Sequence, residues 1–145
     1  MPSFQRDGDG CCISGGGVNI GENSVIMQGC FIGNKEMKIG KSCFVNFNVT
    51  FDGDVVIEDN CNIAFNVLFI TSTHKMGDKG RRAGEKLFKR ITVGSGTWIG
   101  ANATILPGVK IGEGVIIGAG SVVISDCEDN AVYAGNPARM IRKLI

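Results

Sequence analysis

His74 is the only histidine among 145 residues, and it stands in the run Thr71-Ser72-Thr73-His74-Lys75. Imidazole exchanges a proton near neutral pH without needing a large shift, so His74 is the residue through which this chain would do general base chemistry. A lone loop histidine with no role is the rival reading. Asn46 and Asp52, in the stretch FVNFNVTFDGD, are of types suited to holding a polar ligand. Asn46 serves equally as a turn former, because Asn tolerates tight turns. Both fall just after a bulky residue, and they are expected to share one cleft with His74. Trp98, the single tryptophan, precedes Ile99 and points outward by register. An exposed indole makes sense against a ligand or a partner subunit. No second histidine joins the cysteines at metal-ligand spacing, so no zinc or other metal site is expected.

What positions these groups is a repeat. From Ile91 to Val123 a bulky aliphatic returns every six residues: Val93, Ile99, Ile105, Ile111, Ile117, Val123. Thr97, Ala103, Val109, Val115 and Ser121, two residues ahead of each aliphatic, are small or β-branched. Neither the helical period nor two-fold alternation gives this spacing; a hexapeptide repeat does, and it is the signature of a β-helix. Short strands lie on the flat faces of a prism, with the bulky residue and the small residue both inside. The residue after each aliphatic, often Gly, is expected to bend the chain. The same period runs earlier through Ile20, Ile26 and Ile32, gains one residue around Asn34-Lys35-Glu36, and resumes from Ile39 to Phe69. The expected fold is all-β: a parallel β-helix of about five triangular coils, with one extended loop and a short C-terminal helix; its left-handed sense is what the family resemblance given below implies. Its expected boundaries are an N-terminal extension at 1–17, the β-helix at 18–136 with a loop excursion at 71–90, and a helix or cap at 137–145.

Cys30, Cys43, Cys61 and Cys127 fall on the small inward position, so they are expected to be buried and reduced, with Cys43 and Cys61 stacked one coil apart. The loop at 71–90 carries seven basic and two acidic side chains, whereas the chain as a whole is +1. A turn or short helix is expected near Leu87-Phe88. A charged loop leaving a regular solenoid is where such folds place binding groups. After Val123 the period fades, and Pro137 is expected to open the final helix, with Met140, Ile141, Leu144 and Ile145 as its apolar face. Arg139 and Arg142 read as surface or as phosphate ligands, without a decision between them. The near-neutral balance gives no reason to expect nucleic acid. No apolar run is long enough for a membrane span. The polar start is unlike a signal peptide, which points to the cytoplasm.

Taken together, the hexapeptide repeats, the N-x-N then Asp segment, the T-x-x-H loop, WIGANATILPGVKIGEGVIIGAGSVV and the terminal AGNPAR resemble the left-handed β-helix O-acetyltransferases. The nearest group is the maltose, galactoside, nodulation-sugar and capsular-polysaccharide enzymes. The resemblance spans roughly residues 18–142. It implies a homotrimer with active sites between subunits, acetyl-CoA as co-substrate, and His74 as the base that deprotonates an acceptor hydroxyl during direct transfer. It implies acceptor contacts from Asn46, Asp52 and Trp98. It implies CoA contacts from Ala101 and Ala119, whose small side chains let the pantetheine arm lie flat, and from Arg139 and Arg142 near the nucleotide. Two departures follow. Ser125 stands where relatives often carry Lys, and residues 1–17 replace a longer helical segment, which shifts the expected acceptor toward a polysaccharide or lipid-linked sugar. An amino-sugar N-acyltransferase and a streptogramin- or chloramphenicol-type acetyltransferase are the enzymatic alternatives. A β-helix scaffold that binds an anionic partner is the non-enzymatic one.

Overall fold

The structure, a computed structural model, describes residues 12–13, 18–33 and 37–145. The run Gly15-Gly16-Gly17, which reads as a loop or turn, and the extra residue around Asn34-Lys35-Glu36 lie outside the described residues. The described chain forms a left-handed solenoid of about six turns, one turn more than the repeat count suggested. Strands are numbered in chain order. Face A stacks β1 (Cys12–Ile13), β4 (Phe31–Ile32), β7 (Thr50–Phe51), β10 (Leu68–Phe69), β15 (Thr104–Ile105) and β18 (Val122–Val123). Face B stacks β2 (Asn19–Ile20), β5 (Lys38–Ile39), β8 (Val55–Ile57), β13 (Ile91–Val93) and β16 (Lys110–Ile111). Face C stacks β3 (Val25–Ile26), β6 (Phe44–Val45), β9 (Asn62–Ile63), β14 (Trp98–Ile99) and β17 (Ile116–Ile117), then β19 (Ala131–Gly135) and β20 (Ala138–Lys143). The chain visits B, C and A in turn, and all pairings are parallel except β19 with β20 and the hairpin described below.

From β3 onward the second residue of each two-residue strand is buried in the prism. Ile26, Val45, Phe51, Phe69, Ile99 and Ile105 are fully buried. Like stacks on like, as with Phe51 over Phe69 at 5.1 Å between ring centroids. The cysteines take their expected place: Cys43 and Cys61 are buried one coil apart, and their sulfurs donate to the carbonyls of Glu58 at 3.0 Å and Gly94 at 3.2 Å. Hydrogen bonding to Cys43 and burial push the Cys61 thiol well above the usual range. Burial and the nearby Asp126 carboxylate push Cys127 up to about 12.

The corners differ from the sequence reading. The residue after each aliphatic does not turn the chain; the bend comes two residues later, at a left-handed residue. Asn48, Asn66 and Asn102 have φ of 60°, 58° and 61° on the edge from face C to face A. Asn is the non-Gly residue that best tolerates this conformation. Gly100 serves another purpose: a Cβ there would stand 2.6 Å from Ala119 N and 2.9 Å from Ile117 O. The next coil packs directly on it. Gly100→Ala is therefore expected to push two coils apart and to lower stability by about 1–3 kcal/mol, read as a lower urea midpoint.

The described residues contain no helix, including the one expected at 137–145. Consequently none is long and apolar enough to cross a membrane. Residues after Pro137 instead reverse direction and form β20 against β19, with Arg139 opposite Ala134 and Arg142 opposite Val132. The physical reason is the open last coil. Its edge presents unpaired backbone groups, and an antiparallel strand satisfies them where a helix would not. Ala138 is buried in that strand, and Tyr133 OH accepts from Glu128 N at 2.9 Å.

Candidate active site

Among the described residues the solenoid is interrupted by one long insertion. Face B partners are 18 residues apart from Lys38 to Val56 but 36 apart from Val56 to Thr92, so one coil's length of chain is inserted on the A-to-B edge. It is a β-hairpin, β11 (Ser72–Met76) with β12 (Ala83–Phe88). The expected turn or helix at Leu87-Phe88 is the second strand of this hairpin. Its tip is held by Asp78, whose Oδ1 accepts from Gly80 N at 2.8 Å.

Both legs of the hairpin are tied down by the segment Asp52-Gly53-Asp54 of an earlier coil. Asp52 Oδ2 accepts from Ser72 Oγ at 2.7 Å, Ser72 N at 2.9 Å, Thr71 N at 3.1 Å and Thr71 Oγ1 at 3.4 Å. Partial burial works to raise the Asp52 carboxyl, but the hydrogen bonds from Ser72 and Thr71 outweigh it and hold the group below its ordinary range. Asp54 Oδ2 accepts from Arg90 Nε at 2.8 Å, which fixes the other leg, while Asp54 Oδ1 is buried without a hydrogen-bond partner among the described residues. Gly53 is needed between them, because a Cβ would collide with Thr71 Oγ1.

His74 lies on β11 opposite Lys86, on the hairpin face that also carries Ser72 and Phe88. Its Nδ1 is 2.9 Å from Gly84 O. A carbonyl only accepts, so this bond assigns the hydrogen to Nδ1 and leaves the Nε2 lone pair outward. That is the tautomer a general base needs. Ser72, Lys86 and Phe88 of this face line a cleft of about 300 Å³ together with Asp52, Asp54, Lys89 and Arg90; His74 itself is not part of the lining.

The other expected residues lie elsewhere on the prism. Asn46 sits on the C-to-A edge, where its Oδ1 accepts from Phe47 N at 2.9 Å, and so does not share the cleft with Asp52. Six residues carry the chain from one corner to the next, which separates the two. Ala101 and Ala119 stack on that same edge, with Gly120 N donating to Ala101 O at 2.8 Å. Trp98 stands on face C beside Asn62, 55% exposed. Arg139 and Arg142 are exposed on β20 at the end of face C. A single chain thus divides the residues between two edges: the hairpin with Asp52 on one, and Trp98, Asn46 and the alanines around the other.

Comparison with known proteins identifies the family. The family model for the bacterial transferase hexapeptide (six repeats) matches residues 90–125. Galactoside O-acetyltransferase of Escherichia coli is 38% identical over 130 residues, which cover 88% of this chain and 64% of that protein. The crystal structure of a hexapeptide-repeat containing acetyltransferase from Vibrio cholerae, complexed with acetyl coenzyme A, superposes with a TM-score of 0.80 at 33% identity, covering 88% of this chain and 71% of that one. This chain belongs to the hexapeptide-repeat acetyltransferases. A variant of an N-acyltransferase from Bacillus cereus, in complex with dTDP-4-amino-4,6-dideoxyglucose and coenzyme A, also superposes, at TM-score 0.83 and 26% identity over 94% of this chain and 79% of that one. The chain spans somewhat under two thirds of the length of the E. coli relative.

The sequence reading missed Ser72, Thr71, Asp54, Arg90 and Gly84 around the hairpin. One signal was available. Residues 18 apart in an uninterrupted β-helix share a corner, and Ile70 follows Asp52 by 18. That spacing places Asp52 directly under the start of the insertion.

Proposed function

We propose that the protein is an acetyl-CoA-dependent O-acetyltransferase acting on a hydroxyl of a sugar or polysaccharide precursor. The observation that carries this is the His74–Gly84 bond, which leaves Nε2 free on the hairpin face whose Ser72, Lys86 and Phe88 line a polar cleft. Nε2 takes the proton of the acceptor hydroxyl as that oxygen attacks the thioester carbonyl. The tetrahedral intermediate then expels the thiolate of CoA, which receives the proton from the imidazolium. Transfer is direct, and no acyl-enzyme is involved. The matches to a galactoside O-acetyltransferase and to a structure holding acetyl coenzyme A support the reaction and its donor. The likeness to an N-acyltransferase keeps an amine acceptor as the second reading.

The proposed assembly is a homotrimer with each site between two prisms, in the cytoplasm, where the buried thiols stay reduced. Two features support the trimer. A convex prism provides no deep shelter for a thioester on its own, and the site residues sit on two separate edges. Moreover, the outward positions of faces A and C carry no charge in the described strands before the terminal hairpin. They are Phe31, Thr50, Leu68, Thr104 and Val122 on A, and Val25, Phe44, Asn62, Trp98 and Ile116 on C. Face B carries Lys38 and Lys110. Packing A and C against neighbours buries apolar surface such as Phe31 and Leu68 and leaves the charged face in water. The C-to-A edge of one copy, with Trp98 and the strip Gly100-Ala101 over Gly118-Ala119, then lies against the hairpin of the next. That strip has no side chain larger than a methyl group, so an extended pantetheine arm fits along it. Sedimentation velocity is expected to give three chains per particle, with acetyl-CoA binding of equal stoichiometry to chains by calorimetry. A fully active monomer, or a protein that does not bind acetyl-CoA, would contradict the proposal.

A further inference from the structure

The charges lining the hairpin cleft do not cancel. Lys86, Lys89 and Arg90 stand against Asp52 and Asp54 in the lining, a net of +1; Arg90 pairs with Asp54 Oδ2, Asp52 Oδ2 accepts from four neutral donors on Thr71 and Ser72, and Asp54 Oδ1 has no partner among the described residues. Lys86 and Lys89 line the same cleft, and neither has a carboxylate partner among the described residues. Neither is simply a solvated arm. Lys86 Nζ sits 5.2 Å from the centroid of the Phe88 ring. The Lys89 stem is laid across Gly108, where an added Cβ would meet its Cδ at 3.3 Å and its Cβ at 3.4 Å. Phe88 is 71% exposed at the cleft wall, an apolar ring with no core to fill. These two cations belong to a hairpin segment that is +5 in a chain of +1, so the rest of the molecule is −4. Positive charge is concentrated where the base stands, and Lys86 is His74's own cross-strand partner.

We propose that the acceptor bears a phosphate group: Lys86 and Lys89 bind the phosphate while the sugar ring lies on Phe88, which turns a hydroxyl toward His74. This rests on the acetyl-transfer reading of the site and names its substrate class as phosphorylated or phosphodiester-linked sugars. Two ammonium groups that are not ion-paired with a carboxylate among the described residues favour an anionic phosphate over a neutral sugar. An exposed aromatic face suits the apolar side of a pyranose ring. A cleft of about 300 Å³ is of the size for one sugar with its phosphate. The phosphates of CoA are the other source of the same chemistry. The basic residues that resemblance assigns to them, Arg139 and Arg142, lie on β20 at the far end of face C, which leaves Lys86 and Lys89 to the acceptor.

The test uses the intact protein with glucose 1-phosphate and galactose 1-phosphate as probes, against the matching methyl glycosides. Calorimetry without acetyl-CoA is expected to show binding of a phosphosugar that weakens roughly tenfold or more in Lys86→Gln and in Lys89→Gln. In acetyl transfer, the ratio of kcat/KM for the phosphosugar to that for its methyl glycoside is expected to exceed about ten in the wild type and to fall toward one in both variants. Lys110→Gln on face B should leave that ratio unchanged, and circular dichroism checks that each variant is folded. A wild-type ratio near one overturns the proposal. So do variants that raise KM for acetyl-CoA while the ratio holds, a result that assigns the lysines to the coenzyme. Should no acceptor support thiol release, the acetyl-transfer reading fails by itself, and calorimetry decides the phosphate site: lysine-dependent phosphosugar binding upholds it, and absence of binding overturns it.

Discussion

His74→Ala is expected to lower kcat by about 100-fold or more while the KM values for both substrates stay within a few-fold. The substitution removes the free Nε2 lone pair, and with it the group that accepts the hydroxyl proton in the transition state. It removes little else. His74 is exposed, its side chain's one hydrogen bond among the described residues is to Gly84 O, and the hairpin remains held by β11–β12 pairing and by Asp52. His74→Asn separates orientation from basicity, since an amide N–H can still reach Gly84 O but offers no basic nitrogen. It should be as inactive as the alanine variant and as stable as the wild type. Added imidazole is expected to restore part of the alanine variant's rate. A rise in KM with kcat unchanged would instead make His74 a binding residue.

Asp52→Ala has the second large effect, on stability and rate together. It strips four hydrogen bonds from Thr71 and Ser72, and Thr71 is 2% exposed, so its amide loses a partner that water does not readily replace. Such a loss costs about 1–3 kcal/mol, to be read from urea unfolding. The leg of the hairpin two residues before His74 loosens at the same time. A misplacement of about 1 Å in a catalytic group costs about 100-fold in rate, and kcat should fall on that scale. An Asp52 that bound the acceptor directly, as resemblance implies, would give a raised acceptor KM with unchanged stability. The carboxyl also sets a pH dependence. Its folded value lies below the ordinary 3.8, so the folded state binds the proton more weakly than the unfolded chain. The contribution is therefore complete above the ordinary value and is lost as pH falls through the folded one. Wild type should lose stability below about pH 4 more steeply than Asp52→Ala.

The core of this fold was legible in the sequence because each inward position is chemically monotonous. Ile99, Ile105, Ile111 and Ile117 repeat every six residues with Thr97, Ala103, Val109 and Val115 between them, and no other regular structure has that period. The ends and corners were less legible. Pro137 followed by Met140, Ile141 and Leu144 has helical spacing, and nothing in those residues announces that a sheet edge is waiting for a strand. The hairpin hid for the opposite reason. Neither of its faces enters the core, so Ser72, His74, Lys86 and Phe88 show no apolar alternation. Asn46 and Asp52 look adjacent in the chain, yet a step of six moves one corner round the prism while a step of 18 returns to it. That arithmetic, applied to Asp52 and Ile70, ties Asp52 to the root of the insertion. The catalytic candidate was found from residue type alone, but its tautomer was not, since Gly84 O is a backbone atom.

Acceptor-dependent thiol release tests the central claim most directly. Free CoA thiol is followed with a chromogenic thiol reagent across a panel of neutral and phosphorylated sugars, and the acetylated product is treated with alkaline hydroxylamine. The account predicts release only when an acceptor is present, one acetylated sugar per thiol, and a product that hydroxylamine cleaves, as it cleaves an O-ester and spares an amide. Release that needs no acceptor, a hydroxylamine-stable product, or no release with any sugar would contradict it.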